Sequence, residues 1–252
     1  MLTVSTSSHP GAVRPANEDA VLWDASVGLL AVADGMGGHN AGEVASRLAL
    51  ETLQAHVRAT AEAKSIAWTF GYDRGLSLAA NRLLTAAREA NHEVFRTSQE
   101  RRECAGMGTT LTAALIESAR LTYLSVGDSR LYERRGGVLH QLTRDDSWIE
   151  QLADASDIDR ARARGHPMRH LLTSAIGTRG EVAPAVGEVT LTAGHLLLIC
   201  TDGLHGEVSE EAIDAVLAAA RSPTEAVDRL VRAALEHGGK DNITALVAQY
   251  EP

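Results

Sequence analysis

Cysteine is scarce: only Cys104 and Cys200 occur among 252 residues, far apart and in no C-x-x-C pair. That excludes a disulfide framework and a zinc knuckle, and Cys200, at the end of an apolar run, reads as a small buried hydrophobe. Long hydrophobic runs are missing too. The longest uncharged apolar stretches, such as 27–33 and 196–200, fall far short of the ~20 residues that cross a bilayer, so no membrane association is expected. Positive charge is in deficit, with 24 Lys and Arg against 33 Asp and Glu and a formal charge of −9. A fold that grips nucleic acid carries a basic stripe, and this balance argues against such a partner. No H-E-x-x-H pattern occurs, and Gly37-Gly38 is not followed by Lys-Ser/Thr, which disfavours a zinc protease helix and a nucleotide P-loop. The N-terminus shows no charged segment followed by an apolar core, so a cytoplasmic protein is expected.

What remains is a globular composition, 44% apolar and 23% charged, near the average for folded domains. At ~150 residues per domain the length admits one large domain or two small ones. No repeat, low-complexity tract or Gly/Ser/Pro linker divides the chain, so residues 1–252 are expected to form a single domain. Helical periodicity places Leu76, Ala80, Leu83, Ala87, Ala90 and Val94 on one stripe. A second helix is expected over about 41–57, with Val44, Leu48 and Val57 inward. Ser222-Pro223-Thr224-Glu225 reads as an N-cap, a proline at the first helical position and a capping-box glutamate, ahead of a helix burying Val227, Leu230, Val231 and Ala234. Ser209 caps another helix carrying Ile213, Val216 and Leu217, with Glu210 and Glu211 in its first turn. Between these lie runs too continuously apolar for half-exposed strands, at 27–33, 111–116, 121–126, 195–200 and 243–248. Such strands are covered on both faces. They cluster in pairs instead of alternating with helices, which favours a layered α+β arrangement over a doubly wound sheet.

The polar stretch over about 147–172 differs from its surroundings. Within it, Asp159-Arg160-Ala161-Arg162-Ala163-Arg164-Gly165-His166 concentrates positive charge in an acidic chain. It reads either as a solvated helix and surface loop, or as a lid whose arginines attract an anionic substrate.

The most informative pattern is positional: apolar runs repeatedly end in aspartate. Residues 29–33 lead into Asp34-Gly35, 124–127 into Asp128 and 197–201 into Asp202-Gly203, while Asp241-Asn242 opens the last strand. One Asp-Gly pair is ordinary turn chemistry. Four carboxylates at the rim of a buried sheet are expensive unless paired, hydrogen-bonded or bound to a metal. An oxygen-only set suits hard divalent ions such as Mg²⁺ or Mn²⁺.

Taken in order, Arg14-Pro15-Ala16-Asn17-Glu18-Asp19, Ala33-Asp34-Gly35-Met36-Gly37-Gly38-His39, Gly106-Met107-Gly108-Thr109-Thr110, Val126-Gly127-Asp128-Ser129-Arg130, Thr201-Asp202-Gly203-Leu204 and Lys240-Asp241-Asn242 form one series. It resembles the motif series of the metal-dependent type 2C serine/threonine protein phosphatases, and the Asp-Gly-Met-Gly-Gly-His form is similar to their compact bacterial branch. The resemblance implies two antiparallel β-sheets packed as a sandwich and flanked by α-helices, in four αββα layers. It implies that Asp34 bridges two central Mn²⁺ or Mg²⁺ ions, with the Gly35 carbonyl on one and Asp202 and Asp241 on the other. By the same resemblance Glu18 and Asp19 act directly or through water, Asp128 with Asp202 holds a third ion, and Arg14 binds phosphate.

The implied reaction is hydrolysis of phosphoserine and phosphothreonine monoesters by a water or hydroxide bridging two metals. Such ions lower the pKa of the water and neutralise phosphoryl charge, and the planar fork of Arg14 can hold two phosphate oxygens. Relatives often carry histidine directly after the Asp-Gly pair, where this chain has Met36; His39 is the nearest candidate for a general acid. Where relatives place histidine, Asp146 stands instead. Thr109 and Thr110 read as structural hydrogen-bonders. A phosphoprotein-binding pseudophosphatase and a two-metal phosphodiesterase are the alternative readings. The expected partners are phosphorylated Ser/Thr proteins and a cognate serine/threonine kinase, for a protein expected to be a monomer.

Overall fold

A computed structural model describes residues 2–38, 41–63, 66–155, 168 and 171–251. The chain begins with β1 (Leu2–His9), β2 (Asp19–Asp24) and β3 (Leu29–Met36), followed by helices α1 (Ala41–Ala61) and α2 (Leu78–Glu100). A run of strands follows: β4 (Gly108–Thr109), β5 (Leu111–Glu117), β6 (Arg120–Val126), β7 (Arg130–Arg135) and β8 (Val138–Gln141). After α3 (Trp148–Ala155) come β9 (Ala185–Thr190), β10 (Leu196–Cys200), the one-turn α4 (Asp202–His205), α5 (Glu210–Ala219), α6 (Pro223–Glu236) and β11 (Ile243–Tyr250).

These strands form two antiparallel sheets, ordered β1-β11-β10-β7-β8 and β2-β3-β5-β6-β9, with β4 paired to β3 beside the second. Period-two alternation explains why the apolar runs are continuous. Along β3, Leu29, Ala31 and Ala33 pack on α1 and α2, while Leu30 and Val32 point into the space between the sheets. Leu121, Leu131, Leu197, Ile199 and Leu246 meet them there. On the other outer face, Leu198, Cys200, Ala245 and Val247 pack against Ile213, Leu217, Val227 and Leu230 of α5 and α6. The four layers are therefore helices, sheet, sheet, helices, as the resemblance implied.

Local signals act as the sequence suggests, with three corrections, the first being that Leu76, expected on the α2 stripe, precedes the helix, which Ser77 caps. Ser77 and Ser209 cap α2 and α5 through Ala80 N and Ala212 N, and Ser222 caps α6 through Glu225 N. The Glu225 carboxylate, however, accepts from the backbone N–H of Arg221 at 3.0 Å, one residue before the position a capping box requires. Arg221 Nε also donates to that oxygen, and this ion pair draws the carboxylate outward. In α1 the buried row is Ala41, Ala45, Ala49, Leu53 and Val57, so Val44, expected inward, is 37% exposed and Leu48 only half-buried. Small alanines let α1 approach the sheet closely, and the bulkier Val44 lies outside that row. Among the described residues no helix is long and apolar enough to cross a membrane.

Candidate metal centre

The antiparallel register brings the aspartate-bearing ends to one end of the sandwich. β3 and β6 run parallel to each other because both pair antiparallel with β5. Asp34 near the end of β3 and Asp128 just after β6 therefore emerge together. In the other sheet, β10 antiparallel to β11 sets Asp202, opening α4, beside Asp241, which precedes β11. All four line a cavity of about 520 Å³, with Arg14, Glu18, Gly35, Met36 and Thr110. Asp19 lies behind this lining, directly across the β2–β3 ladder from Asp34.

Hydrogen bonds hold the backbone at Asp34 and Glu18. The Asp34 N–H donates to Thr110 Oγ1 at 2.9 Å, and the Asp34 carbonyl accepts from Thr109 Oγ1 at 2.9 Å and from Thr110 N at 2.9 Å. The two threonines thus clamp the strand end, the structural role read from the sequence. Asn242 organises the loop before β2: its Oδ1 accepts from Glu18 N at 2.8 Å, and its Nδ2 donates to the Pro10 and Ala16 carbonyls at 3.0 and 2.8 Å. Within that loop, Arg14 Nη2 donates to Asp241 Oδ2 at 2.7 Å.

The glycines after Asp34 and Asp202 do more than turn the chain. A Cβ on Gly35 would stand 2.2 Å from the Gly42 carbonyl oxygen, and one on Gly203 would stand 1.9 Å from that of Asn242. Neither glycine has a positive φ. Close approach of α1 and of the β11 entry to the carboxylate strands is what demands glycine here.

Electrostatics make this end of the fold tense. Burial, then the neighbouring Asp19, Asp202, Asp128 and Asp241, drives the Asp34 carboxyl well above its ordinary value. Burial and then Asp202 do the same to Asp128. Burial raises Glu18 and pushes Asp19 up to about 7, although Thr244 and Thr201 oppose the shift. Their hydroxyls donate to Asp19 Oδ2 at 2.7 and 2.9 Å. Among the described residues Asp19 Oδ1 and Glu18 Oε1 are buried without a hydrogen-bond partner, a costly state for a carboxylate oxygen. The hydrogen bond and charge of Asp241 raise the Arg14 guanidinium further.

Such a set fits a hydrated divalent centre. Its donors are all oxygen, the choice of hard cations, and a bound cation would relieve both the mutual repulsion and the orphaned oxygens. Among the described residues no three His, Cys, Asp or Glu side chains enclose an ion unaided. Mg²⁺ keeps several waters and takes only one or two carboxylates, so an open, water-lined arrangement suits it.

Behind the cavity stand His205, which the sequence did not single out, and Asp146, whose role it did not show. His205, one turn beyond Asp202, has Nε2 3.0 Å from the Asp128 carbonyl oxygen and ties the two acidic segments together. Burial and Arg130 push its imidazole down to about 4, so it is neutral. Asp146, where relatives carry histidine, brackets Gly127. Its N–H donates to the Gly127 carbonyl at 2.8 Å and its Oδ2 accepts from Gly127 N at 3.0 Å. The Asp146 carbonyl also accepts from Thr173 N at 2.7 Å, joining the segment beside Asp128 to the chain after 170. His39 and the arginines Arg160, Arg162 and Arg164 lie outside the described residues.

Comparison with known proteins bears on the same residues. The sequence model of the family Protein phosphatase 2C matches residues 12–245. The serine/threonine protein phosphatase PstP of Mycobacterium tuberculosis is 40% identical over 250 residues, which cover 98% of this chain and 45% of the relative. The chain thus spans about half the length of that relative. The serine/threonine phosphatase stp of Listeria monocytogenes is 34% identical, with 88% of this chain and 84% of the relative covered. A crystal structure of the Mycobacterium tuberculosis phosphatase superposes with a TM-score of 0.87 at 37% identity, over 100% of this chain and 99% of that one. A structure of the PstP catalytic domain in complex with two manganese ions gives 0.83 at 35% identity, over 98% and 97%.

Proposed function

This chain belongs to the protein phosphatase 2C family, and from that premise we propose that it is a metal-dependent phosphoprotein phosphatase acting on phosphoserine and phosphothreonine. The observation that carries the reading is the meeting of Arg14 with Glu18, Asp34, Asp128, Asp202 and Asp241 around one cavity. Asp34, Asp202, Asp241 and the Gly35 carbonyl are the groups to hold two Mn²⁺ or Mg²⁺ ions, with Asp128 and Asp202 serving a third. When bound, such ions acidify a water and neutralise charge on the phosphoryl oxygens.

The chain's own residues do the remaining work. Glu18 Oε1 and Asp19 Oδ1, buried and unpartnered among the described residues, would accept hydrogen bonds from water carried by bound ions. Thr201 and Thr244 hold Asp19 from behind and keep that oxygen aimed. Arg14 carries the planar donor fork suited to phosphate oxygens. Its Nη2 donates to Asp241 at 2.7 Å, which sets the donor fork beside a carboxylate that would hold metal.

The chain acts as one catalytic unit, as a cytoplasmic monomer, on phosphorylated proteins supplied by a serine/threonine kinase. The test is release of phosphate from a phosphothreonine peptide with Mn²⁺, with Mg²⁺ and with chelator, beside Asp202→Ala. Metal-dependent release that disappears in the variant is expected. Metal-induced thermal stabilisation without release would instead indicate a phosphoprotein-binding protein.

A further inference from the structure

We propose that a second cavity beside the catalytic one is a subsite for a negatively charged group on the substrate, an acidic or phosphorylated side chain near the phosphoresidue, selected by Arg179. The inference rests on the phosphatase reading. This cavity, of about 280 Å³, shares Thr173, Ser174, Ala175, Thr178 and Arg179 with the catalytic cavity and ends at Glu181 and Val182. A peptide whose phosphoresidue occupies the first therefore passes its neighbouring residues over the second.

Arg14 and Arg179 are the two arginines among the described lining residues of the catalytic cavity. Arg14 is engaged by Asp241 at 2.7 Å. The Arg179 guanidinium has no carboxylate or hydrogen-bond partner among the described residues, although the chain carries nine more acidic than basic side chains. Thr178 Oγ1 is spent on the Ala175 carbonyl at 2.9 Å, whereas the hydroxyls of Thr173 and Ser174 are not engaged by a described residue and remain as donors.

The backbone that carries Arg179 is held firmly. Asn91 of α2, only 2% exposed, donates Nδ2 to the carbonyls of Arg179 and Gly180 at 3.1 and 3.2 Å and accepts from Gly177 N at 2.8 Å. Ile176 exchanges two backbone bonds with Thr109, at 3.0 and 2.9 Å, and Thr109 in turn holds the Asp34 carbonyl. The backbone that carries the unpaired guanidinium is thus registered to the strand that bears the candidate metal bridge. Fixing the backbone in advance leaves less freedom to lose on binding. Glu181, which lines the second cavity and not the first, repels an anion placed beside it, which confines the preference to groups near the shared lining.

The test compares kcat/KM with Mn²⁺ for phosphothreonine peptides that differ at one position near the phosphoresidue, carrying Gln, Glu or a second phosphothreonine. Each position on either side is scanned. For the best position the wild type is expected to favour the charged peptide over the Gln peptide by about fivefold or more at low salt, a preference that shrinks as salt rises. Arg179→Ala should bring the ratio close to one, Arg179→Lys should restore part of it, and Arg179→Glu should reverse it. A ratio unchanged in Arg179→Ala, or an equal loss on both peptides, would overturn the subsite while leaving the phosphatase reading standing. Failure of wild type to hydrolyse any peptide would overturn both.

Discussion

Replacing Asp19 by asparagine should change how the metal-free protein responds to pH. Burial pushes this carboxyl from 3.8 up to about 7, so between those values the folded state holds a proton that the unfolded state has released. Folded stability therefore falls as pH rises through that window. A shift of about three pH units corresponds to about 4 kcal/mol at 1.36 kcal/mol per unit. At roughly 2–4 °C per kcal/mol for a chain of this size, that is on the order of 10 °C in Tm. A raw melting profile would mix two signs, because His205 is pushed down to about 4 and stabilises increasingly as pH rises towards ~6.5. The difference between wild type and Asp19→Asn cancels His205, which both proteins share. Asparagine keeps an acceptor for Thr201 and Thr244 and removes the titration. Thermal melts with chelator from pH 4.5 to pH 8 should show the variant gaining on wild type by about 10 °C across the range. With saturating Mn²⁺ wild type should recover most of that difference, because bound cation stabilises the ionised carboxylate. A difference that stays flat with pH, or moves the other way, would refute the claim that Asp19 is strongly desolvated in the metal-free fold.

Asp202→Ala should lower phosphopeptide kcat/KM by about 10³-fold or more, and near-normal turnover in a preparation free of other phosphatases would reject the metal assignment. Arg14→Ala should raise KM for phosphopeptides while shifting the Mn²⁺ concentration for half-maximal activity much less; unchanged peptide kinetics would count against phosphate binding. Asp24, whose side chain is 3% exposed, accepts from Arg58, Gln54 and Ser26 and lies at the end of β2 away from the cavity. Asp24→Ala should cost about 2 kcal/mol with kcat per folded molecule unaltered. The Arg58 hydrogen bond holds the Asp24 carboxyl below its ordinary value, so its contribution is present above about pH 4 and is lost as pH falls through the folded value. The gap between the urea midpoints of the two proteins should be narrower at pH 3 than at pH 7, and a constant gap would contradict this. Asp146→Ala should raise the metal requirement for activity several-fold by freeing Gly127 beside Asp128, and a metal titration identical to wild type would show that the bracket does not position Asp128.

Much of the architecture could be read along the chain because burial on both faces leaves a one-dimensional trace. The runs that became β3, β5, β10 and β11 are apolar at most positions, β6 less so, and the serine caps of α5 and α6 are local chemistry. The edge and polar strands were not legible. β1 alternates exposed and half-buried residues of little apolar character. β7 reads Arg-Leu-Tyr-Glu-Arg-Arg, a string whose charges make sense only once Arg130 has found Asp145, Tyr132 and Glu210. Val44 was misassigned because periodicity cannot report that a helix packs through its alanines.

By itself, the sequence determined which side chains are available for chemistry: the ordered aspartates, the arginine ahead of them and the tightly placed glycines, since motif order and spacing are properties of the chain. Tertiary structure alone decided which of those groups meet and in what environment. Asp19 and Asp34 face each other because β2 and β3 pair in one particular register. Asp202 and Asp128 share one wall because His205 reaches the Asp128 carbonyl across 77 residues of sequence. Arg179 lies beside the cavity because Asn91, from a distant helix, holds its carbonyl. Desolvation and charge coupling depend on distances through space, and those exist only after the sheets have closed on one another.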